Sequence, residues 1–153
     1  SYGNAAPFDT LPSAQTLGDA LLVPTKIYVR CLMPILRGHP TLIKAMAHIT
    51  GGGLPENLPR VLPSNLTAVV DVSSMTPLPP VFKWLHKVSE LPKYELMKTL
   101  NCGVGMVLIC AASMKDRLME LLSAQGEKPI LLGKIIESTA QDYPQVVLEG
   151  DLM

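Results

Sequence analysis

Apolar positions along the chain change period several times, and each change marks an element. Between residues 25 and 37, Ile27, Cys31, Leu32, Ile35 and Leu36 recur at helical spacing, with Thr25 as the expected N-cap. Pro34 lies inside that pattern and predicts a kink or break in the last turn, with Gly38 as the stop. Residues 42–49 form a short apolar run that halts at Thr50-Gly51-Gly52-Gly53, which reads as a strand entering a glycine loop. Residues 54–61 resume as a short helix limited by Pro55 and Pro59, and the β-branched run 67–72 is a second strand. Pro77, Pro79 and Pro80 make a stiff link into a helix over 81–88, where Val81, Trp84, Leu85 and Val88 share a face. Pro92 opens another helix reaching residue 100, and 105–110 is a third strand. Ser113 is the expected cap of a helix over 114–124, with Leu118, Leu121 and Leu122 inward and Gly126 just past its end. Residues 129–136 and 145–149 close the chain as strands, with Gly133 marking a bulge in the first. Residues 1–15, small, polar and proline-containing, read as a linker or lead-in, and 16–153 as one domain. Helices mingled with strands predict an α+β fold, a layered α/β/α arrangement of a mixed β-sheet flanked by helices.

Composition narrows the function classes. The chain has 153 residues, enough for one domain with a real core. Thirteen Lys and Arg balance thirteen Asp and Glu, so no positive field favours nucleic acid as a partner. The apolar runs are too short to span a bilayer, which removes the membrane as a partner. Three widely spaced cysteines at 31, 102 and 110 form neither a disulfide framework nor a zinc-ligand spacing, so they read as small buried hydrophobes and no metal-ligating set is assigned. With no secretory signal at the start, a reducing, cytoplasmic location is expected.

The familiar catalytic signatures are missing: there is no H-E-x-x-H, no G-x-S-x-G and no P-loop. Gly103 and Gly105 begin like a dinucleotide fingerprint, but they precede a strand where the fingerprint follows one. The segment from His48 to Asn57 is more pointed. Gly51, Gly52 and Gly53 lack Cβ atoms, so an anion can approach their main chain at the start of the following helix. Thr50 adds a hydroxyl, His48 a ring donor, and Arg60 a cation about one turn further on. The competing reading is that three glycines only make a tight, close-packed turn, and from the residues alone both stand. Asn101 reads as a helix C-cap or as a side chain aimed into a cleft. Lys26 at a helix start opposes the dipole, which hints at an anionic partner.

Ordered motifs then point to a family. Leu17-Gly18-Asp19, Pro24-Thr25-Lys26-Ile27-Tyr28, Ala47 to Gly53, Glu56-Asn57-Leu58-Pro59-Arg60-Val61-Leu62-Pro63 and Asn101-Cys102-Gly103-Val104-Gly105-Met106 occur in that order, with Val81-Phe82-Lys83-Trp84-Leu85 between the last two. Together they resemble the C-terminal domain of aminoimidazole ribonucleotide synthetase, also called phosphoribosylformylglycinamidine cyclo-ligase, over residues 17–136. The resemblance implies an ATP-dependent ligase of purine biosynthesis, which closes the imidazole ring of formylglycinamidine ribonucleotide with release of ADP and phosphate. It implies ATP and Mg2+ held mainly by an N-terminal domain, a homodimer formed through that domain and, in some eukaryotes, a multifunctional polypeptide. That N-terminal half is absent upstream of Ser1, so the chain alone is expected to be inactive. Under the resemblance, His48, Thr50, Gly51, Gly52 and Gly53 form the leading substrate- or phosphate-binding set. Asn57, Arg60 and Asn101 come second, Thr25 and Lys26 behind them, and no residue is assigned as acid or base. Two alternatives remain open: a related ATP-dependent enzyme of the same superfamily, such as thiamine-monophosphate kinase or selenophosphate synthetase, and a non-catalytic support domain.

Overall fold

The computed structural model of the chain describes residues 16–138 and 143–152; the lead-in expected over 1–15 lies outside them. Six helices and five strands are formed among the described residues, in an α+β arrangement. They are α1 (Leu17–Leu21), α2 (Val29–Gly38), β1 (Ile43–His48), α3 (Gly53–Asn57), β2 (Leu66–Asp71), α4 (Pro80–Ser89), α5 (Lys93–Thr99), β3 (Met106–Cys110), α6 (Lys115–Ala124), β4 (Gly133–Glu137) and β5 (Val146–Glu149).

The strands divide into two sheets. β2 is the centre of a mixed sheet in the order β4-β2-β5, antiparallel to β4 and parallel to β5. β1 and β3 form a separate antiparallel pair in which His48 faces Met106. The Ile49 N–H carries that ladder one step further, to the Gly105 carbonyl at 2.9 Å. Strand pairing cannot be read from periodicity, so the second sheet adds to the sequence expectation.

Two cores are formed, and the larger is shared by both sheets. Ala47 of β1 and Ile49 just past its end, Ala68 and Val70 from β2, Leu54 and Leu58 around α3, and Leu96 and Met97 from α5 make the larger one. Leu152 joins them from the chain's far end with no exposed surface. The second core lies where Cys31, Leu32 and Ile35 of α2 meet Leu118 and Leu122 of α6 over the β1–β3 pair. No helix among the described residues is long and apolar enough to cross a membrane.

Several local expectations change. α2 starts at Val29, with Tyr28 at the cap position, because the chain from Val23 to Tyr28 has no regular structure; Thr25 therefore caps nothing. Pro34 does not break α2, which runs on to Gly38. The ring removes one backbone bond on an exposed side, while Leu32 and Ile35 on the other side stay buried. Residues 54–61 split into α3 and a single 3₁₀ turn, Pro59–Val61. α6 is capped by Met114 after a 3₁₀ turn, and Ser113 makes no capping bond. Gly133 marks no bulge: β4 keeps unbroken register with β2, and a Cβ there would lie 2.0 Å from the Val69 carbonyl oxygen. The register irregularity is instead in β1, between Ile43 and Ala45. α4 buries none of its residues fully, so its expected inner face is only half covered.

Candidate functional site

β1 delivers its chain end to the surface. Ile49 is locked into the larger core, and Thr50 and Gly51 emerge exposed. The Gly53 N–H donates to the Thr50 carbonyl at 3.0 Å, closing a turn before α3. The three glycines have different physical reasons. Gly53 is buried at φ 56°, and a Cβ there would fall 1.7 Å from the Met97 carbonyl oxygen of α5. Gly52 has φ 92°, the left-handed region that a side chain disfavours. Gly51 has open space where a Cβ would stand and no such backbone demand. Only Gly51, then, is a glycine that packing does not explain.

Asn57 is 4% exposed and holds this turn from beneath. Its Nδ2 donates to the Gly53 carbonyl at 2.8 Å and to the Gly51 carbonyl at 3.2 Å. Binding the carbonyls inward settles the loop's orientation, because a buried amide must find partners. Arg60 is exposed, and its Nε donates to the Glu56 carbonyl at 3.1 Å.

His48 is exposed at the end of β1. Tyr28 stands edge-on to it, with ring centroids 6.0 Å apart and planes at 69°. The Tyr28 hydroxyl fills the space over Gly105, where a Cβ would come within 2.1 Å of it. Lys26 pairs with Glu127 beyond α6, at a sequence separation of 101 residues. Its ammonium is held above the ordinary lysine range, chiefly by that hydrogen bond, and the Glu127 carboxyl correspondingly below its own. Burial pushes the Tyr28 phenol up, with Lys26 pulling the other way. Tyr28 thus lies between Lys26 in sequence and His48 in space, two residues that the sequence singles out separately. Tyr28 and Glu127 were not among the candidates. Gly105 was the available signal for Tyr28, whereas nothing in the sequence pairs residue 26 with residue 127.

Asn101 is not a helix cap, since α5 ends at Thr99 with Leu100 in that position. Its Oδ1 accepts from the Gly103 N–H at 3.0 Å, supporting a turn in which Cys102 takes φ 49°. Thr25 is exposed and lies outside any helix. A cleft of about 1690 Å³ opens between the two sheets, and Lys26, Tyr28 and Glu127 line it. His48, the loop from Thr50 to Gly53, Asn57 and Arg60 lie outside that cleft. The structure therefore gathers the glycine loop, Asn57 and Arg60 in one place, links His48 to Lys26 through Tyr28, and leaves Asn101 in a turn of its own.

Electrostatics give no activated nucleophile among the three thiols. Burial raises Cys31 and Cys110 and pushes Cys102 up to about 11, so all favour the neutral form near pH 7. Among the described residues no three His, Cys, Asp or Glu side chains come together as a metal site. What the loop surface offers is binding and orientation: the Gly51 and Gly52 backbone amides, the Thr50 hydroxyl and the His48 imidazole around a fixed turn, with the Glu56 side chain packed against Gly52. Compared with known families, residues 3–142 match the model of the AIR synthase related protein, C-terminal domain.

Proposed function

The chain belongs to the AIR synthase related protein C-terminal domain family, found in ATP-dependent enzymes of that superfamily, and from this we propose that it is the C-terminal domain of a phosphoribosylformylglycinamidine cyclo-ligase. In this reading the enzyme closes an imidazole ring on formylglycinamidine ribonucleotide using ATP, and this domain supplies the wall that contacts a substrate or nucleotide phosphate. The observation that carries the site is Gly51, an exposed glycine beside Thr50 that neither backbone conformation nor packing requires.

The roles follow from what each group can do. The loop amides at Gly51 and Gly52 and the His48 ring donate to phosphate oxygens, joined by the Thr50 hydroxyl once it leaves the Asn57 Oδ1, to which it donates at 3.5 Å. Gly53 and Asn57 keep the loop in shape, and Arg60 adds positive charge nearby. α3 has only five residues, so its dipole adds less than a long helix would. Nucleotide and Mg2+ are held mainly by a second domain in this reading; among the described residues of this one no three His, Cys, Asp or Glu side chains gather as a metal site. Phosphoryl chemistry of this kind is governed by positioning and charge neutralisation, and the chain contributes to both, with no residue assigned as acid or base.

The test is ADP release on adding ATP and formylglycinamidine ribonucleotide. The chain alone is expected to give none above background, and the chain supplied with a nucleotide-binding domain of the family is expected to turn over. Turnover by the chain alone would overturn the division of labour. A second reading, a support domain that contacts no ligand, is favoured by the Asn57 bonds, which make the loop a rigid turn for its own sake. Saturable binding of the ribonucleotide to the domain separates the two.

A further inference from the structure

Of the large apolar side chains left exposed among the described residues, five fall between Leu21 and Val29, on the stretch from the end of α1 to the start of α2. Leu22 is 81% exposed, Ile27 70% and Val29 64%, with Leu21 and Val23 both at 51%. From Val23 to Ile27 the main chain makes no backbone hydrogen bond to another described residue. Pro24 holds Val23 extended, because its ring disfavours the helical region for the residue before it. Side chains of an extended chain alternate in direction. Lys26 and Tyr28 turn to the domain, the first pairing with Glu127 and the second standing over Gly105. Val23, Thr25 and Ile27 alternate with them, are all β-branched and stay exposed. The strip has the side chains and the open main chain of an unpaired edge strand.

We propose that residues 21–29 are the surface on which a preceding nucleotide-binding domain docks, laying an extended segment along the open main chain of 23–27 and covering the apolar side chains. The inference rests on the two-domain reading above and gives it a contact surface. Three observations select this occupant. At these exposures the five residues present on the order of 500 Å² of surface, so a contact covering them buries about 1,000 Å² counting both sides. That falls short of the roughly 1,600 Å² of a standard free-standing complex, such as a dimer of this chain, and fits the range of about 600–1,500 Å² between domains of one chain. A tether makes so small a contact sufficient, since it supplies an effective concentration of about a millimolar. Lys26 is the only charged residue of the strip, and its own Glu127 neutralises it, so an apolar partner surface buries no unpaired charge. Tyr28 ends the open stretch and its ring contacts His48, so a domain docked here sits beside the loop from Thr50 to Gly53.

The test is calorimetric titration of the chain with a separately purified nucleotide-binding domain of a phosphoribosylformylglycinamidine cyclo-ligase. Ile27→Lys and Val23→Lys change exposed side chains, and thermal midpoints equal to the parent's confirm that both fold. Each is expected to weaken binding by about ten-fold or more, whereas Tyr94→Lys, exposed on α5, binds like the parent. ADP release by the mixture should fall with the same two variants and return as the domain concentration is raised. The Thr25 and Ile27 amides should exchange more slowly in the complex. If both variants bind like the parent, or Tyr94→Lys weakens binding equally, the surface assignment is overturned while the catalytic reading stands. If the domain does not bind the parent at all, the proposal falls, and ribonucleotide binding to the chain alone decides separately whether the phosphate site survives. If the chain self-associates in sedimentation and Ile27→Lys abolishes that but leaves domain binding intact, a second copy covers the strip and the proposal is overturned.

Discussion

At the scale of single residues, the glycine loop separates into positions that serve folding and one that does not. Gly53 cannot accept a methyl group without moving the α5 backbone at Met97, and its φ of 56° adds strain. Gly53→Ala is expected to destabilise the domain by about 2 kcal/mol or more, as a drop in thermal midpoint. Gly51→Ala meets open space and ordinary backbone, so its stability should stay within about 0.5 kcal/mol of the parent. If the loop amides hold phosphate, Gly51→Ala should still weaken ribonucleotide binding, measured by calorimetry. Unchanged binding in a stable Gly51→Ala would favour the turn-only reading. Gly52 discriminates less well, because any side chain there meets both φ 92° and the Glu56 side chain. The sequence could show that three glycines stand together. It could not show which of them faced Met97, because that depends on how closely α5 approaches.

At the scale of elements, the strand, loop and short helix from β1 to α3 act as one unit because Asn57 binds the loop's carbonyls from α3. Asn57→Ala leaves those acceptors without their buried donor and is expected to cost about 1 to 3 kcal/mol, read by chemical denaturation with an unchanged slope. Much of this level was legible beforehand. Periodicity located α2, α6, β1, β2 and β3, since each carries apolar side chains at its own spacing, packed against one of the two cores. Element ends were harder. Thr25 and Ser113 have the chemistry of N-caps, yet α2 and α6 begin elsewhere, because tertiary contacts of Tyr28 and the 3₁₀ turn before Lys115 set the boundaries. α1 went unnoticed although Thr16 and Asp19 form a capping box around its first turn. The short span offered too few apolar positions to show a period.

At the scale of the whole molecule, two sheets share the larger core and line a cleft, a second core lies under α2 and α6, and the glycine loop faces outward from the larger core. The ordered motifs pointed to the family, and the family match agrees with them. Sheet pairing, the Lys26–Glu127 tie and the burial of Leu152 all join residues distant in sequence, so no local pattern could reveal them. The central claim is that an outward loop of bare backbone receives a ribonucleotide phosphate. The most direct measurement is a ¹H–¹⁵N titration of the chain with formylglycinamidine ribonucleotide. Saturable shifts centred on the Thr50, Gly51 and Gly52 amides and the His48 ring are expected. Saturation with those signals unmoved, or no saturation at all, would contradict it.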